Sequence, residues 1–178
     1  RGATVTALLV RGLRSRRRVV GTGPQPYRLP EPLLAAAAAR YQADLALVPS
    51  LLPLLSHRHQ GTRAMALRAL RHLTNHQLSP GVPRARAKRW QHWWAAHRRM
   101  KRRELLHRGF ERARPGFTRA RADARLAILV RLTRRRDYLG DNAHTALQRY
   151  AGPRVFRAAP PRQGRYGYWR RWLRQRHG

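Results

Sequence analysis

Cysteine is missing from all 178 residues, which excludes a disulfide framework and thiolate metal ligation. Acidic residues are scarce. Seven Asp and Glu face 40 Lys and Arg, for a formal charge of +33, and self-repulsion at that charge opposes compaction. A polyanion is therefore the expected neighbour: nucleic acid first, an anionic membrane surface or acidic partner second. Lysine is scarce as well, occurring only as Lys88 and Lys101. Arginine carries the rest, and its planar fork suits phosphate. The same preference, with abundant Ala, Pro and Gly, is also what GC-rich coding produces, and both readings stay open at this point. Long apolar runs are absent too. The longest, Leu33–Ala39, is far too short to span a bilayer.

What is present rules out a purely disordered basic tail: 42% of the residues are apolar, enough at this length for a real core. Residues 1–30 contain Gly12, Gly21, Gly23, Pro24, Pro26, Pro30 and no acid, and read as an irregular basic N-terminal arm. Its apolar run Ala3–Val10 precedes Arg14–Arg18, the reverse of signal-peptide order. A soluble cytoplasmic setting is the default, with an organelle matrix as the alternative if the arm is a transit-peptide remnant. Because the sequence opens on Arg1 and not methionine, a start further upstream or a processing step is expected.

Beyond Pro32 the pattern is helical. PLLAAAAARYQADLAL (32–47) is rich in strong helix formers, and Pro49 and Pro53 limit the following SLLPLLSH to a short or kinked helix. HRHQG (57–61) reads as a loop, with Thr62 as N-cap of a helix over 63–74 whose Ala66, Leu67, Leu70 and Leu73 share one face. Pro80, Gly81 and Pro83 break the pattern, and the next helix carries Trp90, Trp93, Trp94 and His97 at i, i+3, i+4 and i+7. The second half follows the same plan. RRELLHRGFERA (102–113) connects the halves, 121–132 forms an apolar helix, and the loop RRRDYLGD ends at Asp141 or Asn142 as N-cap. NAHTALQRYAG (142–152) follows, stopped by Gly152; the Pro-rich PRVFRAAPPRQG intervenes, and Trp169, Trp172 and Leu173 sit on a last helix. No segment alternates over enough residues to suggest a sheet.

The halves match each other. Ala66-Leu67-x-x-Leu70 corresponds to Ala146-Leu147-x-x-Tyr150, and Trp90-x-x-Trp93-Trp94 to Trp169-x-x-Trp172-Leu173, which points to an internal repeat. The residues LVPSLLPLLSHRHQGTRAMALRALRHLTN followed by RWQHWW, and YLGDNAHTALQRYAG followed by YWRRWL, resemble bacterial HEAT-like helical repeats of the PBS-lyase type. Asn75 stands where that pattern has glycine, and Tyr150-Ala151-Gly152 where it has Leu-Thr-Gly. The resemblance implies an all-α fold: a short α-solenoid of two HEAT-like hairpin units over 31–100 and 101–178, each followed by a Trp-bearing helix. It implies a binding role and names no partner.

The tryptophans admit two readings, a stacking platform for unpaired bases or a packing stripe, and their confinement to one helical face favours the stripe. The stronger functional signal is arginine. Arg98, Arg99, Lys101, Arg102 and Arg103 form one dense patch, Arg134, Arg135 and Arg136 another, and Arg170, Arg171 and Arg174 lie on the last helix. Arg121 and Arg125 stand one turn apart, on one potential phosphate track. Contacts of this kind are largely sequence-independent, and there is no zinc finger, RNP-like signature or G-x-x-G clamp to read bases. His57-x-His59 and His72-x-x-x-His76 have ligand-like spacing without a neighbouring carboxylate, so no metal or other cofactor is expected. No residue context marks a catalytic nucleophile. The expected function is therefore non-enzymatic: a scaffold docking on RNA or DNA, with a ribonucleoprotein as a fitting setting. The alternatives are a scaffold for an acidic protein and a HEAT-like DNA glycosylase using Asp137 or Asp141.

Overall fold

In the computed structural model, residues 2–20, 28–78, 82–152 and 164–177 are described. They are mostly helical and fall into two compact units, Arg1–Arg102 and Arg103–Gly178. The Pro/Gly-rich breaks expected at Pro80–Gly81 and over 153–163 lie outside the described residues.

The first unit begins with a helix where the sequence suggested an irregular arm. Helix α1 (Gly2–Arg14) is followed by a two-stranded antiparallel pair, β1 (Arg18–Val20) and β2 (Arg28–Pro30), in register Val19 opposite Leu29. Leu9, Val10 and Leu13 recur at helical spacing and give α1 an apolar stripe to bury; Leu13 is sealed in the core. Gly12, read as a breaker, serves close approach instead. A Cβ there would stand 3.0 Å from the Cβ of Ala35 on the next helix, α2 (Glu31–Gln42). Two short hydrogen bonds pin α1 in place, Ser15 Oγ to Glu31 and Thr6 Oγ1 to Asp44, both 2.6 Å. The arm is thus part of the unit.

The alanines of α2 present a shallow face, with Ala35, Ala36 and Ala39 buried, which lets α4 (Gln60–Thr74) lie against it. Between them come a 3₁₀ turn (Leu45–Leu47), the four-residue α3 (Val48–Leu51) and a second 3₁₀ turn (Pro53–Ser56), the broken helix that Pro49 and Pro53 dictate. Helix α4 starts earlier than Thr62. His59 is its N-cap, its Nδ1 accepting the Thr62 N–H at 3.3 Å, an imidazole doing the work usually given to Ser or Asp. The helix ends at Asn75, whose φ of 55° is the left-handed turn where asparagine substitutes for glycine most readily. Helix α5 (Pro83–His97) opens on proline and buries Ala87 and Trp90.

In the second unit, α6 (Arg102–Ala113) turns sharply into α7 (Ala122–Leu132). Glu111 organises that turn, accepting the Gly116 and Thr118 N–H groups at 2.7 Å and the Thr118 hydroxyl at 2.8 Å. These donors, Thr118 N–H foremost, hold its carboxyl below the ordinary range. The turn delivers Phe117 into a core with Phe110, Leu126, Leu129 and Leu147. Helix α8 (Tyr138–Ala151) is capped by Asp137, not by Asp141 or Asn142: its carboxylate accepts from Leu139 N–H at 3.1 Å and Gly140 N–H at 3.3 Å. The cap lies four residues before Asp141 because Tyr138 and Leu139 are core residues and carry the helical face upstream. Gly152, at φ 87°, ends α8. The last helix is α9 (Arg165–His177).

Gly140 is forced by this cap. A Cβ there would fall well inside van der Waals contact of the Arg135 carbonyl. Gly140→Ala is expected to destabilise the second unit near the upper end of the about 1–3 kcal/mol seen for overpacking, read as a lower urea midpoint.

Candidate functional site

Two tryptophans are anchors. Trp90 in α5 and Trp169 in α9 are fully buried, while Trp93, Trp94 and Trp172 are partly so. Trp93 is held as a sandwich, with His76 stacked at 4.1 Å and His97 at 4.5 Å between ring centroids. The stripe packs, and its rings are filled by neighbours.

The Trp169 indole N–H donates to His144 Nδ1 at 2.9 Å, which fixes His144 with its other nitrogen protonated. Burial and then the Arg165 cation depress the His144 pKa to about 4, against a smaller opposing pull from Asp141. The unfolded chain takes up that proton near 6.5. Between these values the unfolded state binds more protons, so stability falls as pH falls. The loss approaches about 3 kcal/mol at the acid end and is absent above the upper value. Urea unfolding of the second unit across that window measures it, and His144→Gln, which keeps an acceptor for Trp169, is expected to flatten the profile.

Arginines gather at cavities in both units: at one of about 370 Å³ in the first, with Arg58, Arg63 and Arg84, and at two larger ones, one in each unit. The first unit holds a cleft of about 1200 Å³ on which Arg14, Arg16, Arg17, Arg18 and Arg58 converge with His57 and His59 over a floor that includes Pro49 and Leu54. Four of these arginines were legible only as the run RSRRR (14–18), and Arg58 only as part of the loop HRHQG. His57 is pushed down by burial, then by Arg58 and His59. In the His57-x-His59 pair, His57 Nδ1 accepts the His59 N–H at 3.1 Å and His59 Nδ1 the Thr62 N–H at 3.3 Å.

The second unit holds a groove of about 490 Å³ into which α6, α7 and α8 send Arg103, Arg125 and Arg149. Leu106, Leu126 and Leu129 make its apolar floor, and His107, Phe117 and Tyr150 add rings. Arg125 is braced by donating Nε–H to the Ala120 carbonyl at 2.8 Å; the guanidinium groups of Arg103 and Arg149 make no hydrogen bond or ion pair with any described residue. His107 is pushed down by burial, then by Arg103 and Arg125, a local sign of uncompensated positive charge. No carboxylate among the described residues lines either cavity.

Of the arginines singled out in the sequence, Arg103 and Arg125 therefore meet at one site. Arg121 is exposed, at the N-cap of α7. Arg98, Arg99 and Lys101 are exposed beyond the core of α5, and Arg102 donates to the His72 carbonyl at 3.4 Å. Arg134 lies over the Tyr166 ring at 4.1 Å. Arg135 is committed to Asp137 at 2.6 Å; this pairing, with the Gly140 N–H, outweighs the raising effect of burial and keeps the Asp137 carboxyl low. Arg136, Arg170, Arg171 and Arg174 are exposed. Asp141 pairs with Arg165 at 2.8 Å, so both carboxylates weighed for catalysis are engaged in structure. Among the described residues no three metal-binding side chains cluster, and no helix is long and apolar enough to cross a membrane. No protein-family model, curated protein or solved structure matches the chain.

Proposed function

We propose that this protein is a non-enzymatic binding scaffold whose arginine-lined surfaces dock on the phosphate backbone of RNA or DNA without reading base sequence. The observation that carries this reading is the pair of larger cavities, one per unit, each gathering three or more arginines with no described carboxylate on its lining. Guanidinium groups held this way gain affinity by releasing phosphate counterions and by forked hydrogen bonds to phosphate oxygens.

The two units read as successive HEAT-like copies, as in a short solenoid. Supporting this, α2 lies against α4 and α7 against α8, and each unit's last helix inserts one fully buried tryptophan at the matched position. A scaffold of this type suits a place within a larger ribonucleoprotein.

Fluorescence anisotropy with two unrelated oligonucleotides of equal length, and with polyglutamate as competitor, tests the reading. Equal affinity for both sequences and weak competition are expected. A preference beyond about tenfold, the scale of a base-specific contact, would contradict the absence of readout, and tight polyglutamate binding would favour the acidic-protein alternative. The groove supplies its own reporter. An anion seated by Arg103 and Arg125 offsets the charges that hold His107 down, so the His107 pKa is expected to rise on binding, followed by NMR.

A further inference from the structure

The two larger arginine-rich cavities differ in what lies beneath the charge. The first-unit cleft has prolines, serines and aliphatic side chains, and its rings are the two imidazoles of His57 and His59, whose Nδ1 atoms are spent on backbone N–H groups. The second-unit groove has rings: His107 stands edge-on to Phe117 at 5.6 Å between centroids, and Tyr150 of α8, 47% exposed, carries the Arg176 guanidinium over its ring at 5.1 Å. At about 490 Å³ it is the size of a cavity that takes one small organic ligand, too small for a length of double helix. Its three arginines come from three different helices. An occupant that satisfies both halves of this site carries a flat, largely apolar ring and a negative charge on one short frame.

We infer that the groove receives a single unpaired nucleotide of an RNA or DNA strand, its base against Tyr150 and the His107–Phe117 wall and its phosphate among Arg103, Arg125 and Arg149. A duplex keeps its bases paired and stacked, whereas a single strand offers each base as a free π-face. Burial, then Arg103 and Arg125, push the His107 pKa down, which favours the uncharged imidazole and an aromatic neighbour on that wall. The inference rests on the polyanion reading above and adds to it a preference for unpaired strands.

Anisotropy titration of a 5′-labelled oligodeoxythymidylate strand, and of the same strand annealed to its complement, tests the inference at one fixed salt concentration. Wild-type protein is expected to bind the single strand more tightly than the duplex. Tyr150→Ala, at a half-exposed position, and Ala122→Trp, which fills the groove from an exposed position on α7, are each expected to weaken single-strand binding by about tenfold and duplex binding by clearly less, so that the single-strand preference narrows. Arg149→Gln should weaken both. Should Tyr150→Ala perturb folding, seen by circular dichroism, Ala122→Trp carries the test alone. Equal affinity for the two forms, with Ala122→Trp silent, would overturn the nucleotide site and leave polyanion docking standing. Failure to bind either form at low salt would overturn the underlying reading and this inference with it.

Discussion

Replacing Trp169 with alanine is expected to lower the stability of the second unit by about 3–5 kcal/mol, the cost of emptying a large aromatic site. The side chain is fully buried, meets Tyr168 and Trp172 edge-on at 5.2 and 5.4 Å, and spends its N–H on His144. Truncation therefore removes apolar contact and strands a buried acceptor together. Trp90→Ala is expected to cost the first unit a similar amount, since Trp90 is equally buried. Phenylalanine separates the two sites. The Trp90 N–H finds no described acceptor, so Trp90→Phe loses only volume, whereas Trp169→Phe also leaves His144 Nδ1 without its donor. Urea unfolding of the four variants is expected to show Trp169→Phe as the costlier phenylalanine change. Equal costs would contradict a structural role for the indole–imidazole bond.

The second large effect is on binding. If docking uses about six to ten phosphate contacts, raising salt from about 50 to about 200 mM is expected to weaken nucleic-acid affinity by about 10³–10⁵-fold. The two larger cavities together offer Arg14, Arg16, Arg17, Arg18, Arg58, Arg103, Arg125 and Arg149, which falls within that range. A surface that used hydrogen bonds to base edges would keep most of its affinity in the same series.

Helix content was legible because local signals agreed along most of the chain: strong helix formers in α2, the Leu70–Leu73 face of α4 and the tryptophan spacing of α5 and α9. Boundaries were not. Asp137 won its cap over Asp141 because Tyr138 and Leu139 carry the apolar face upstream, and His59 won its cap over Thr62 because Thr62 is itself fully buried inside the first turn. The N-terminal helix was hidden by Gly12, whose reason for being glycine is the neighbouring Ala35, a tertiary fact. The site divides in the same way. The charge density that marked Arg103 and the one-turn spacing from Arg121 that marked Arg125 are signals visible in one dimension. Arg149, His107 and Tyr150 join them only because α6, α7 and α8 fold together, and nothing in the sequence near Arg149 distinguishes it from a solvated arginine.

The central claim is that arginines without a partner in the protein supply the contact to phosphate. It is tested most directly by the slope of log affinity against log salt for the wild type and for Arg103→Gln combined with Arg149→Gln, the two groove arginines whose guanidinium groups hold no described partner. The double variant is expected to be flatter by about 1.8 on a duplex and about 1.4 on a single strand, two phosphate contacts' worth of counterion release. An unchanged slope, or no measurable affinity for either at about 50 mM salt, would contradict the claim.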